Sequence, residues 1–181
     1  MAMLLFFCNM ANAQKYACKS SNDIAMQEGK QSSIKQQINR TKASNNFEIY
    51  YSNCTWKVDP AIKFIDGKVT HYFTVSSATN LITLDLSNNL IVDSVRFRNQ
   101  KISFVQTNND VLSIQLNTTL VAQQKDSVTI FYNGNPGSSG FGSFIQTTHN
   151  NVPVIWTLSE PYGSKDWWPC RNGLDDKIDS I

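Results

Sequence analysis

Along most of the chain after residue 46, hydrophobic and polar residues alternate with a period of two. This alternation is typical of β-strands that bury one face. The predicted strands cover residues 47–58, 69–75, 81–86, 92–98, 101–106, 111–116 and 127–133. In the first strand the alternation places Phe47, Ile49 and Tyr51 on one face and Tyr50, Cys54, Trp56 and Val58 on the other.

Turn-forming residues separate these runs. Asp59-Pro60 ends the first strand, residues 64–68 are predicted to form a turn before the second, and Asn88-Asn89 follows the third. Short strands at regular spacing, with no helical pattern between them, predict an all-β fold: an antiparallel β-sandwich or barrel. A parallel sheet would need alternating strand and helix patterns, which this sequence lacks.

The one glycine-rich stretch, residues 133–143, follows the last predicted strand. A phosphate-binding loop would continue into Lys-Ser or Lys-Thr and a helix, and neither follows here. The stretch is therefore predicted to be a long hairpin tip or a crossover between sheets.

The first 45 residues have a different composition. A short apolar run at residues 4–7 and the small residues Ala11-Asn12-Ala13 match the end of a signal peptide, so residues 1–13 are interpreted as a partial one. The alternative is a buried N-terminal strand. Residues 14–45 are interpreted as a polar leader with one weak helix near 26–41, and residues 46–181 as the folded domain. The chain is accordingly expected to be exported, to the periplasm or the extracellular space.

Cysteine usage is compatible with export. Cleavage after Ala13 would leave Cys18, Cys54 and Cys170, an odd number, and a disulfide between Cys18 and Cys54 is permitted although the pairing stays open. No two cysteines have the Cys-x-x-Cys spacing, so a structural zinc site made of cysteines is not predicted.

Charge and hydropathy exclude some partners. The net charge is only +2 and the basic residues are scattered, which does not indicate nucleic acid or an anionic membrane as a partner. The apolar run near the start is too short to span a bilayer.

The chain has few residues that could carry catalysis. Its two histidines are His71, in the middle of a predicted strand, and His149, before Asn150-Asn151 at a predicted hairpin turn. Neither belongs to a His-Glu-x-x-His motif, and no Gly-x-Ser-x-Gly elbow is present. His71 is predicted to be structural. No catalytic residue, metal ligand set or cofactor site is therefore predicted for this chain.

Glu160 is the candidate site residue. Pro161 disfavours the α conformation for the residue before it, so Glu160 is expected to be extended and able to project from a strand end into a cleft. A carboxylate there could bind a cationic amine through charge-assisted hydrogen bonds. The alternative is a solvated turn acid. Trp167 and Trp168 are interpreted as packing residues, with carbohydrate stacking as the weaker alternative.

The end of the chain resembles a known family. The residues that carry the resemblance are Thr157-Leu158-Ser159-Glu160-Pro161, then Trp168-Pro169-Cys170, then Asp175-Asp176-Lys177, supported by residues 50–60, 65–70 and 130–134. They are similar to the N-terminal domain of the aminopeptidase N-type zinc metallopeptidases, which include leukotriene hydrolase, in their secreted bacterial form. Leu158 departs from the family pattern, which has Gln at that position.

The resemblance implies a saddle-like β-sandwich that packs on a thermolysin-like catalytic domain, with the zinc ion in that second domain. It also implies that Glu160 helps to bind the free α-amino group of peptide substrates. The zinc-binding motif of the family is absent from the 181 residues, so the chain is expected to be an incomplete domain that lacks its last strands and does not cleave peptides alone. The alternatives are a free-standing secreted β-sandwich for binding or adhesion, with exposed tryptophans as its contact, and a relative that lacks zinc ligands.

Overall fold

The computed structural model describes residues 41–139, 142–159, 162–173 and 178–181. Within these ranges the chain forms ten β-strands and one short 3-10 helix at Ser164–Asp166. The strands are β1 Phe47–Asp59, β2 Ile62–Val75, β3 Thr79–Asp85, β4 Leu90–Phe97, β5 Gln100–Ile102, β6 Phe104–Thr107, β7 Val111–Leu120, β8 Lys125–Gly134, β9 Phe144–His149 and β10 Val152–Thr157. The predicted signal peptide, most of the predicted leader with its weak helix, and Cys18 lie outside the described residues.

All strand pairs are antiparallel. They form a five-stranded sheet in the order β1-β2-β8-β4-β5, a three-stranded sheet in the order β3-β7-β6, and a β9–β10 hairpin. One hydrophobic core takes side chains from both larger sheets, among them Phe73, Val95 and Ile130 from the first and Ile82, Leu84 and Ile114 from the second. Two sheets that share one core form a sandwich, so the predicted antiparallel β-sandwich is confirmed.

The predicted faces of β1 are wrong beyond its third residue. A β-bulge lies between Ile49 and Tyr51, and it shifts the alternation by one residue. Phe47 and Ile49 are buried before the bulge and Ser52 after it, all toward the core. Without the bulge, the two halves of β1 would present their apolar sets to opposite faces of the sheet.

The turn predicted at residues 64–68 is also wrong, because these residues lie inside β2. The hairpin instead turns at Pro60-Ala61, where the Ala61 amide donates to Asp59 Oδ1 over 2.8 Å. Gly67 pairs with Tyr132 on β8. A β-carbon on Gly67 would lie 2.5 Å from Tyr132 Cε1, so glycine is required here by the crossing ring and not by a turn.

The strand predicted at residues 101–106 is two strands in different sheets. β5 pairs with β4 and β6 pairs with β7, and the chain changes sheets at Ser103. The carbonyl of Ser103 accepts from the Gln115 amide over 3.0 Å. This break closes one corner of the sandwich, where strands commonly switch sheets.

Residues 41–46 cover the outer edge of β3. The Ser44 amide donates to the Thr83 carbonyl over 3.2 Å, and the Lys42 amide donates to Asp85 Oδ1 over 2.9 Å. Asp85 is buried and also accepts from Thr41 Oγ1. Because β3 is an edge strand, this segment satisfies backbone groups that would otherwise face solvent.

Candidate functional site

Glu160 and Pro161 lie outside the described residues, as do residues 174–177 at the end of the motif. The residues on both sides of Glu160 are described. We use the term loop base for Leu158, Ser159, Tyr162 and Gly163, which bracket Glu160 in the sequence.

Hydrogen bonds close the loop base on itself. The Gly163 amide donates to the Ser159 carbonyl over 2.7 Å, and Trp167 Nε1 donates to Ser159 Oγ over 3.1 Å. The Leu158 amide donates to the Ser143 carbonyl over 3.3 Å. Ser159 is therefore held by two contacts: its side chain bonds to Trp167, just after the 3-10 helix, and its carbonyl bonds to the Gly163 amide.

The second half of the loop base is held by the segment that follows it. Asn172 Nδ2 donates to the Tyr162 carbonyl over 2.8 Å, and the Asn172 amide donates to Asp85 Oδ2 over 3.0 Å. Cys170 forms a β-bridge with Asp85 at the end of β3. The segment from Tyr162 to Asn172 is thereby fastened to the three-stranded sheet.

Gly163 allows two segments to approach closely. A β-carbon at this position would lie 2.5 Å from Ser143 Cβ and 3.2 Å from the Leu158 carbonyl oxygen. Any larger residue would have to separate the loop base from the start of β9.

Asp166 is a buried carboxylate, only 5% exposed, beneath the loop base. Its Oδ2 accepts from the Ser139 amide over 3.0 Å and from the hydroxyls of Ser139 and Ser143. Its carbonyl accepts from the Gly137 amide over 2.9 Å. Among the residues that the structure describes, no basic side chain pairs with it, so hydroxyl and amide donors alone stabilise its charge.

The two tryptophans of the motif pack inside the domain, as predicted. Trp168 is buried and Trp167 lies with its ring centroid 4.8 Å from that of Trp56. Trp56 Nε1 donates to the Tyr132 hydroxyl over 2.9 Å, and that hydroxyl donates to the Trp167 carbonyl over 2.9 Å. Burial raises the pKa of Tyr132 far above its usual range. Of the four tryptophans, Trp156 is the exposed one.

His71 is a structural residue, as predicted. It is fully buried, with Nε2 3.0 Å from the Pro169 carbonyl oxygen and Nδ1 2.8 Å from Ser52 Oγ. A carbonyl oxygen only accepts, so Nε2 carries the proton and Nδ1 accepts from the serine hydroxyl. Burial lowers the pKa of His71 to about 4. The neutral ring joins β1 and β2 to the segment below the loop base.

Acidification is expected to destabilise the protein through His71. The unfolded chain binds a proton below pH 6.5, the ordinary pKa, while the folded chain does so only near pH 4. The free energy of unfolding should therefore be steady above pH 6.5 and fall by about 3 kcal/mol between pH 6.5 and 4. Urea denaturation across this range measures the fall.

His71→Gln is the control variant, because its amide can still donate to Pro169. In this variant the free energy of unfolding should change little between pH 6.5 and 5, a range above the usual carboxylate pKa values. An unchanged slope would contradict the assignment.

The remaining candidates do not converge. His149 is exposed at the end of β9, next to the predicted hairpin turn at Asn150 and Asn151, whose φ angles are 50° and 63°. Cys54 carries a free thiol whose pKa burial raises to about 11, which disfavours the reactive thiolate. Within the described ranges, no three His, Cys, Asp or Glu side chains come together as a metal site.

Several residues of this region were not predicted from the sequence. Asp166 and Asp85 reach partners 23 to 87 residues away, and no local pattern signals such contacts. The β9–β10 hairpin was also missed apart from its turn, because its strands bury few side chains and lack a clear alternation. The Lys-Asp-Trp-Trp sequence was the one available signal that Asp166 is buried and paired. A charged residue beside two tryptophans that pack in the core is seldom buried without partners.

Solved structures resemble the domain. An M1 zinc metallopeptidase from Deinococcus radiodurans matches with a TM-score of 0.62 and 23% identity, over 72% of this chain and 30% of that one. A mutant of an M1 zinc metallopeptidase from the same organism, bound to a Tyr-Ser-Ala substrate, matches with a TM-score of 0.62, 22% identity and the same coverage. Yeast LTA4 hydrolase in complex with bestatin matches with a TM-score of 0.57 and 16% identity, over 72% of this chain and 22% of that one.

The chain thus spans under a third of the length of these structures. Comparison with curated proteins returned no match. In the described part, no helix has the length and apolar character needed to cross a membrane. The model of the Peptidase M1 N-terminal domain family matches residues 47–173, which contain the sandwich, the loop base and the Trp-Trp-Pro-Cys segment, and the chain therefore belongs to this family.

Proposed function

We propose that this domain is the N-terminal domain of an exported zinc aminopeptidase and that Glu160 binds the free α-amino group of the peptide substrate. The observation that carries the proposal is the family match over residues 47–173, which includes Glu160, together with a loop base fastened on both sides of that residue. Export rests on the interpretation of residues 1–13 as a signal peptide.

A carboxylate in this position accounts for selectivity toward amino termini. A terminal ammonium group forms charge-assisted hydrogen bonds with a carboxylate, whereas an internal peptide group brings no charge to compensate its desolvation. Such a site favours substrates with a free amino end and disfavours cleavage inside a chain. Leu158 stands where the family has Gln, so the site relies on one polar side chain fewer than its relatives.

The chemistry of cleavage belongs to a second domain in this proposal. Two of the similar structures are named as zinc metallopeptidases, and the described residues of this chain assemble no metal-ligand group. A zinc ion in that domain would polarise the scissile carbonyl and activate water. The residues of the present domain bind and orient the substrate amine.

One exposed face supports contact with a second domain. Val152, Trp156 and Leu158 alternate along β10 and its end and are 60%, 45% and 41% exposed. Apolar side chains in such a row are typical of an interaction surface. We assign this face to the catalytic domain. It would serve equally as the contact of a free-standing binding module, which is the second candidate function.

The reading frame beyond the codon for Ile181 separates the two candidates. The proposal predicts that translation continues and that a Gly-x-Met-Glu-Asn motif and a His-Glu-x-x-His motif follow in the same polypeptide. A stop codon directly after Ile181 would leave the binding module. Below, the complete polypeptide means the full product of this gene.

A further inference from the structure

Asp166 holds the β8–β9 connection against the 3-10 turn under the loop base. Its carboxylate accepts from Ser139 in the β8–β9 connection and from Ser143 just before β9, and its own amide donates to the Gly163 carbonyl over 3.1 Å. The buried carboxylate thus has amide and hydroxyl donors from two residues of the β8–β9 connection and lies one turn from the loop base.

Ser143 transmits this contact to the loop base. While its hydroxyl donates to Asp166, its carbonyl accepts from the Leu158 amide over 3.3 Å, and its β-carbon lies against Gly163. Leu158 and Gly163 are the two ends of the loop base. A displacement of Ser143 would therefore move both ends, and with them the Ser159–Gly163 hydrogen bond that closes the turn.

From this arrangement we infer that Asp166 is a positioning residue for amine recognition: through Ser143 it fixes the loop base that carries Glu160. The inference rests on the proposed function. Removal of the carboxylate leaves the Ser139 and Ser143 hydroxyls without their acceptor and the Ser139 amide with Ser143 Oγ alone. Buried donors that lose an acceptor rearrange or admit water. A shift of the binding group by a fraction of an ångström is enough to weaken recognition.

The test uses the complete polypeptide and an alanine p-nitroanilide substrate. Asp166→Ala is expected to lower kcat/KM about tenfold. Asp166→Asn retains an oxygen that can occupy the Oδ2 position, so it should recover most of this loss. Asp93→Asn is the matched control, because Asp93 is exposed on β4 and accepts one bond from Asn133, and it should leave kcat/KM unchanged.

A double-mutant cycle separates positioning from a general effect on the enzyme. If Asp166 acts through Glu160, Asp166→Ala should cause no further loss in a Glu160→Gln background. An equal tenfold loss in both backgrounds, or a kcat/KM for Asp166→Ala within twofold of the parent, would overturn the inference. If Asp166→Ala fails to fold, Ser143→Ala removes only the relaying hydroxyl and enters the same cycle with the same criteria.

Hydrogen exchange at the Gly163 amide gives a readout that is independent of activity. Asp166→Ala should speed exchange at this amide, because the Ser159–Gly163 turn loses its support. If Glu160→Gln itself leaves kcat/KM unchanged, the proposed function fails and the positioning role fails with it. If Glu160→Gln lowers kcat/KM while Asp166→Ala changes neither kcat/KM nor exchange, only the positioning role is wrong.

Discussion

Replacement of Glu160 by Gln in the complete polypeptide is expected to lower kcat/KM for a substrate with a free amino terminus about 100-fold. Glutamine keeps the size of the side chain and one acceptor oxygen but removes the charge that compensates the ammonium group. Loss of one partner from a desolvated charge pair costs about 2–5 kcal/mol, and 1.4 kcal/mol corresponds to a factor of ten. Steady-state kinetics with an alanine p-nitroanilide measures the effect.

A substrate analogue without the amine provides the control for this prediction. A peptide whose first residue lacks its α-amino group makes no ionic contact with Glu160 and leaves its carboxylate desolvated without a partner. Its inhibition constant should therefore be lower for Glu160→Gln than for the parent, opposite to the loss expected for the free-amine substrate. An equal loss of affinity for the analogue would show that the substitution damages the site in general. Unchanged kinetics with the free-amine substrate would refute amine binding by Glu160.

Gly67→Ala is expected to destabilise the domain by about 3 kcal/mol. The added β-carbon would lie 2.5 Å from Tyr132 Cε1 and 2.6 Å from the Tyr132 hydroxyl. The ring cannot move away freely, because its hydroxyl bonds to Trp56 Nε1 and to the Trp167 carbonyl. Urea denaturation of both proteins gives the difference in the free energy of unfolding.

Two further variants test the cause of this loss. In a Tyr132→Leu background the crossing ring is gone, so Gly67→Ala should cost much less than in the parent. Gly137→Ala is the matched control, since its β-carbon would meet its nearest neighbours at 3.4 Å, an ordinary contact. The same cost for Gly67→Ala in both backgrounds would rule out the clash with Tyr132 as its origin.

The core strands could be predicted because their burial follows a period of two. In the strand predicted over residues 81–86, the alternate residues Ile82, Leu84 and Leu86 are all buried. The prediction of a turn at 64–68 was wrong because an Asp-Gly pair occurs in two structural settings. It can form a turn, or its glycine can leave room inside a strand for a neighbouring side chain. Only the pairing of β2 with β8, which places Tyr132 opposite Gly67, distinguishes them.

The candidate site was predictable only in part. Glu160 was identified from the residues around it, because the Glu-Pro and Trp-Trp-Pro-Cys elements lie close together in the sequence. The residues that hold the loop base come from distant parts of the chain, and each is an ordinary polar residue where it stands. Ser143 and Asp166 come into contact only because the connection between β8 and β9 folds against the 3-10 helix, and the sequence gives no sign of this contact. The role of Glu160 itself stays a prediction.

The most direct test of amine recognition by a zinc aminopeptidase compares two substrates in the complete polypeptide: alanine p-nitroanilide and its N-acetylated form, each before and after removal of zinc by a chelator. We predict hydrolysis of the free-amine substrate alone, abolished by the chelator and restored by zinc. Equal hydrolysis of both substrates, or hydrolysis that the chelator leaves unchanged, would contradict the account.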